Sequence, residues 1–279
     1  MNKLILLTAA CALSGLAARA DLFNYDFGSG TGSHTSGIST IFLPTTPAGG
    51  GSTRVRIGTG TGSFDLVNPG DAIGSDTELQ GTAPTNTSVN KFSIYDLASP
   101  SAQFSVAFDL KLTGASAGNW YLFTGDGASL SDNSGFTGAQ IMSGIRWTFA
   151  ASGGVTESYR NGGGWSALSD VFSQDNAYRV EIFSNNGAAS ASYGASQSLA
   201  PNTWDLWVNS TLVGDDLAKA QLPGGANIDS FMFYGEGSAG NTPKIILDNI
   251  QYSNALTVVP EPASAGLLAL GLLLLRRRR

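Results

Sequence analysis

The chain has one cysteine, Cys11, and one histidine, His34, among 279 residues. Cys11 falls in a leader read below as removed, so disulfides, thiolate zinc sites and cysteine nucleophiles are excluded together from the mature protein. His34 stands alone in a run of Gly, Ser and Thr, which leaves a Ser-His-Asp triad or a multi-histidine metal site without its partners. Charged residues make up only 13%. Lys and Glu, the usual residues of exposed helix faces, are scarce, and no stretch of the body carries an apolar stripe at the 3.6-residue period. What is abundant is Gly, 36 residues, with many Ser and Thr, the composition of strands joined by turns.

The first twenty residues, MNKLILLTAACALSGLAARA, place Lys3 before an apolar run and end on Ala18-Arg19-Ala20, a small-x-small cleavage pattern. They predict a helical secretory signal peptide at 1–20, cut before Asp21 by signal peptidase. Cys11 does not turn it into a lipoprotein leader, because Thr8 stands where such a leader has leucine. Taking away Lys3, Arg19, Glu261 and the four terminal arginines from 15 basic and 21 acidic residues leaves nine and twenty, a net charge of −11. So acidic a body argues against a broad basic face for nucleic acid or polyanionic sugar, and favours neutral glycans, cations or protein neighbours.

The chain ends in VVPEPASAGLLALGLLLLRRRR. A helix over Ala263 to Leu275 has thirteen residues and spans about 20 Å, short of the roughly 30 Å hydrocarbon core. Arg276, Arg277, Arg278 and Arg279 behind it hold that end in the cytoplasm and put the body on the far side. Pro260-Glu261-Pro262, a short apolar helix and an arginine cluster, in this order, resemble the PEP-CTERM sorting signal. The resemblance implies an exported protein, anchored transiently by a short transmembrane helix and recognised at Pro260, Glu261 and Pro262 by an exosortase, then released or attached at the cell surface. Without it, the tail reads as a plain membrane anchor. The sequence thus divides into a leader at 1–20, a body at 21–257 and a sorting signal at 258–279.

Short alternating runs separated by turn clusters predict an all-β antiparallel β-sandwich for the body. The clearest is Gln103 to Leu112, where Phe104, Val106, Phe108, Leu110 and Leu112 share one face at period two. Further strands are expected at 22–27, 54–57, 91–95, 120–124, 145–149, 178–183, 203–208, 228–234 and 244–252. Asn161-Gly162, Asn186-Gly187 and Gly224-Gly225 supply turns that need positive φ. Residues 29–62, poor in large apolar side chains, read as long loops around two short strands. An opening Asn24-Tyr25-Asp26-Phe27 and the later order of Tyr178 to Ile182, Trp204 to Val208, Ile228 to Phe231 and Ile246 to Ile250 resemble the concanavalin A-like or laminin-G-like jelly roll. Sugar hydrolases of that fold place their acids on one strand as Glu-x-Asp-x-Glu or a close variant. The body's glutamates, Glu78, Glu157, Glu181 and Glu236, form no such run, which points away from catalysis.

Asp248 shares the phase of Ile246, Ile250 and Tyr252, so it is expected to point inward, where a carboxylate needs a partner. That partner is a backbone amide, Arg179, or a structural calcium ion shared with Asp26 and backbone carbonyls. Asp215 and Asp216 read as turn residues after Gly214. For a glycan the relevant groups are exposed rings beside polar side chains. These are Trp165, presented by the glycine loop that follows Arg160 and Asn161, and Trp207, opposite in phase to Trp204 and Leu206. The bland reading of both rings is that they cap the sandwich edge.

The sequence therefore predicts an exported surface or matrix protein, non-catalytic, associating with exopolysaccharide through Trp165, Trp207, Asn161 and Arg160, without nucleic acid. The alternatives are a polysaccharide hydrolase or lyase, and a purely structural matrix component.

Overall fold

A computed structural model describes residues 20–257, apart from 60, 69–72, 75 and 128–135. The predicted signal helix, the Pro260-Glu261-Pro262 motif, the 263–275 helix and Arg276 to Arg279 lie outside the described residues. Among the described residues no helix is long and apolar enough to cross a membrane. The helical pieces there are two short 3-10 turns, Gly138–Gln140 and Ala151–Gly153.

In chain order the strands begin with β1 (Leu22–Tyr25), β2 (Gly32–His34), β3 (Gly37–Ser39), β4 (Ser52–Ile57), β5 (Ser63–Val67) and β6 (Glu78–Thr82). Next come β7 (Val89–Tyr95), β8 (Gln103–Thr113), β9 (Asn119–Gly125), β10 (Ile141–Phe149), β11 (Val155–Asn161) and β12 (Gly164–Ala167). The last are β13 (Ala177–Asn185), β14 (Ala191–Tyr193), β15 (Gln197–Leu199), β16 (Thr203–Val208), β17 (Thr211–Ala218), β18 (Ser230–Glu236) and β19 (Lys244–Ser253). Every strand expected from alternation is present, and residues 29–62 supply β2 and β3 as edge strands of the two sheets.

One sheet has nine strands, in the order β17-β16-β13-β8-β19-β6-β5-β2 with β1 also paired to β19. The other has eight, in the order β12-β11-β10-β9-β18-β7-β4-β3. All pairings are antiparallel, so the body is an all-β sandwich. The inward faces meet in an aromatic-rich core, where Phe92 stacks on Phe233 at 5.9 Å and Phe108 meets Phe233 edge-on at 5.0 Å. Each fully buried ring of this kind contributes roughly 1.5–3 kcal/mol by leaving water. Trp120, wholly buried, donates its indole N–H to the Pro243 carbonyl at 2.9 Å. Its six-membered ring fills the space over Gly81 and Gly235, where a Cβ would approach Trp120 to 2.8 and 2.7 Å. Glycine at both places is what lets the indole lie against the sheets.

Three local expectations are corrected. In β19 the core residues are Ile245 and Leu247, then Ile250 and Tyr252. A bulge at Asp248 with Asn249 at φ 49° shifts the phase. Ile246 therefore lies on the outer side, and Asp248 is not in the core phase. Asp215 and Asp216 lie inside β17, where a bulge and a positive φ at Asp216 bend the strand. Gly162 and Gly225 take positive φ as expected, but Gly187 does not. Asn186 beside it is buried and donates to the carbonyls of Pro223 and Ala226.

Candidate functional site

Because β4, β7, β18, β9 and β10 turn alternate residues into the core, the residues between them stand on the outer face of the eight-stranded sheet. Register places six of them in one row across the strands: Ser158, Arg146, Tyr121, Tyr234, Lys91 and Arg56. A small apolar cluster separate from the core has formed on this face, built from Tyr121, Phe123 and Met232 with Phe136, Trp165 and Tyr234 packed against it.

The rings and cations are interleaved. Trp165 lies 5.6 Å from Tyr121 and 6.1 Å from Phe123, and Tyr121 meets Tyr234 edge-on at 5.5 Å. The guanidinium carbons of Arg146 and Arg160 stand 4.7 and 5.3 Å from the centre of the Trp165 ring. The Lys91 ammonium stands 5.4 Å from Phe136 and 5.6 Å from Tyr234. The contacts with Trp165 fix the two guanidinium groups against the ring and leave N–H edges to serve another partner, whereas Lys91 is buried between its rings. Tyr121 donates its hydroxyl to Glu236 at 2.7 Å, and Arg146 donates Nε–H to the Ser158 hydroxyl at 3.0 Å.

Burial raises the pKa of both tyrosines. The Tyr121 phenol is raised first by burial and then by its hydrogen bond to Glu236, with Arg146 opposing. Tyr234 is pushed up to about 12 by burial and by Glu236, with Arg56 opposing. Both phenols stay protonated at neutral pH and present a donor rather than a base.

A second group of polar residues sits on the other sheet. The first half of β19 pairs with β6 and the second half with β1, so the bulge at Asp248 falls at the junction between the two partners. Asp26 follows β1 and Asp76 precedes β6. One carboxylate oxygen from each of Asp26, Asp76 and Asp248 lies within 4.8 Å of the others, a spread that a single calcium ion with ligands at about 2.4 Å can span. Asp248 is 1% exposed and accepts the Asn249 N–H at 2.7 Å. Burial, with Asp76, Glu78 and Asp109 adding to it, pushes its carboxyl up to about 6. Glu78, also wholly buried, accepts the N–H groups of Ile73 and Gly74 on Oε1, while its Oε2 has no hydrogen-bond partner. Arg179, expected as a partner for Asp248, instead pairs with Asp109 at 3.2 Å and donates to the Asn249 carbonyl.

No family model matches the chain, and no curated protein does. Solved structures do. A carbohydrate esterase from the Shiga toxin-encoding bacteriophage phi24B is 13% identical with a TM-score of 0.46, covering 71% of this chain and 88% of its own. The cellulose induced protein Cip1 is 12% identical with a TM-score of 0.46, covering 80% of this chain and 93% of its own. The carbohydrate recognition domain of Emp47p is 9% identical with a TM-score of 0.43, covering 79% of this chain and 95% of its own. At these values the site has to be read from its own residues.

Of the residues expected to bind a glycan, Arg160 and Trp165 lie on the outer face of the eight-stranded sheet, directly paired across β11 and β12. Trp165 belongs to a strand, after a tight turn at Gly162 and Gly163, and is not carried on a loop. Asn161 is exposed at the same hairpin and donates to Ser166 at 3.2 Å. Trp207 is elsewhere. It faces outward as its phase implied, but on the nine-stranded sheet, where it donates to the Tyr193 hydroxyl at 2.8 Å beside Phe183 and Leu256.

Sequence reasoning missed Tyr121, Tyr234, Lys91, Arg146 and Arg56, which stand in adjacent strands only after folding. Their signal was present as the polar or aromatic phase of alternating runs. It missed Asp76 too, although Asp76-Thr77-Glu78 has the period-two spacing of acids that the reading of the four glutamates looked for.

Proposed function

We propose that this protein is an exported, non-catalytic surface or matrix component that holds polysaccharide on the outer face of the eight-stranded sheet. The sandwich is read as a concanavalin-like jelly roll. The observation that carries the binding reading is the aromatic cluster of Tyr121, Phe123, Trp165 and Tyr234 outside the core, edged by polar and cationic side chains. The half-buried rings of Trp165 and Tyr234, backed by the buried Tyr121 and Phe123, offer apolar surface for sugar C–H groups, and the Tyr234 phenol and the guanidinium groups offer donors for sugar oxygens. Glycoside hydrolysis needs two carboxylates on one site. The described strands of this sheet carry only two acids, and Glu157 turns away to accept the N–H groups of Val171 and Phe172, which leaves Glu236. That supports binding over hydrolysis.

Export rests on the leader at 1–20, and sorting on Pro260, Glu261 and Pro262 with the 263–275 helix and Arg276 to Arg279. In this reading signal peptidase cuts before Asp21, exosortase processes the tail, and the exopolysaccharide outside is the lasting partner. Mass spectrometry of the protein recovered from the cell surface tests it. A mature chain starting at Asp21 and lacking the arginine tail is expected, and replacement of Pro260, Glu261 and Pro262 by alanine should leave the tail attached in the membrane fraction. Cytoplasmic full-length protein would contradict it. We also assign a structural calcium ion to Asp26, Asp76 and Asp248, where it would tie β1 and β6 to the β19 bulge. The buried Oε2 of Glu78, left without a partner beside these acids, supports this assignment.

A further inference from the structure

Residues 21–257 contain nine basic and twenty acidic side chains. Five of the nine, Arg54, Arg56, Lys91, Arg146 and Arg160, lie on the outer side of the eight-stranded sheet, where the four arginines are half-buried and Lys91 is buried against Phe136 and Tyr234. The sign of this face is thus opposite to that of the body around it. Arg56 and Lys91 stand on one side of the Tyr121 and Tyr234 pair, and Arg146 stands on the other, with Arg160 beyond it. Arg56 and Arg146 are four strands apart, about 19 Å at the usual spacing between neighbouring strands. A chain of several sugar residues covers that distance.

Arg56, Arg146 and Arg160 make no ion pair with a described carboxylate, and the buried Nε–H of Arg160 has no hydrogen-bond partner. The one outward acid on these strands, Glu236, is already engaged by Tyr121 and, at 3.4 Å, by Asn119. Guanidinium groups that lean on an indole keep their planar N–H forks for a carboxylate, which they grip with two parallel bonds. An acidic polymer is repelled by the rest of this surface and drawn to this face, so the field both attracts and orients it.

We infer that the ligand is an anionic polysaccharide whose carboxylates are met by Arg56 at one end of the row and by Arg146 and Arg160 at the other. This rests on the glycan-binding reading above, and replaces the expectation from net charge that neutral glycans fit best. Net charge counts residues, whereas a ligand meets the few that register gathers on one face.

The test is calorimetric titration of the purified chain with polygalacturonate and alginate, each beside its carboxyl-reduced, neutral counterpart. Binding to an acidic polymer is expected, at least tenfold weaker for the reduced form, and falling as salt is raised. Arg146→Gln and Arg56→Gln should each weaken it roughly tenfold. Should Arg146→Gln fail to fold by near-ultraviolet circular dichroism, Arg56→Gln carries the test from the far side of the two tyrosines. Equal affinity for acidic and reduced polymers would overturn the anionic assignment and keep glycan binding. Binding confined to neutral polysaccharides would do the same, and no binding to any of them would overturn both.

Discussion

Arg146 holds its guanidinium carbon 4.7 Å from the centre of the Trp165 ring, so in the proposed glycan site the tryptophan would act partly through the cation that it holds in place. A contact of this kind is worth about 0.5–2 kcal/mol. Trp165→Phe, which keeps a ring face, is expected to retain binding to within a few-fold. Trp165→Ala is expected to lose about tenfold. Equal losses in the two variants, measured on the same polysaccharide, would show that the ring holds nothing in place.

Gly235 lies under Trp120, and a Cβ there would stand 2.7 Å from the indole. Gly235→Ala should therefore destabilise the sandwich by about 1–3 kcal/mol through overpacking. Urea unfolding of the two chains side by side reads this as a lower midpoint with an unchanged slope. An unaltered midpoint would mean that the core yields around Trp120.

Asp26, Asp76 and Asp248 come within one cation's reach at the β19 bulge. Added calcium should raise the melting temperature, with a stabilisation of about 2.7 kcal/mol when the free ion is near one hundred times its Kd. Chelation should reverse the gain, and Asp76→Asn should abolish most of it. No shift with calcium in the unmodified chain would remove the ion from the account.

Glu157 accepts two backbone N–H groups from the 171–172 segment, yet burial dominates and pushes its carboxyl up to about 7. The folded chain keeps this proton at pH values where the unfolded chain, with a carboxyl near 4.5, has lost it. The unfolded state then binds fewer protons, so this group's contribution to stability falls as pH rises from about 4.5 to about 7 and stays level above. Melting temperatures across that window should decline more steeply in the unmodified chain than in Glu157→Gln. Parallel profiles would refute the assignment.

Much of the fold was legible because it is written in local alternation. In β8, Phe104, Val106, Phe108, Leu110 and Leu112 all face the core, as period two requires. Alternation fails where the backbone adds a residue, and β19 shows the consequence. The bulge at Asp248 gave the wrong phase for Asp248 and Ile246, although the pairing of Asp248 with Asp26 was legible from the ends of the chain meeting in one sheet. Trp165 and Arg160 were legible as a pair because a tight turn joins them. The row from Ser158 to Arg56 was not, since its members come from six strands whose order β11-β10-β9-β18-β7-β4 is set by sheet topology rather than by sequence distance. Net charge is silent on placement for the same reason. A total of −11 carries no information on the five of nine cations that register brings to one sheet.

The central claim is that polysaccharide is held on the outer face of the eight-stranded sheet, and retention of the purified chain on a polysaccharide array tests it most directly. Three proteins suffice: the unmodified chain, Trp165→Ala, and Trp207→Ala as the outward tryptophan of the opposite sheet. The account predicts that the unmodified chain and Trp207→Ala are retained alike, while Trp165→Ala is retained about tenfold less. Absence of retention on every polysaccharide, or loss in Trp207→Ala with retention in Trp165→Ala, would contradict it.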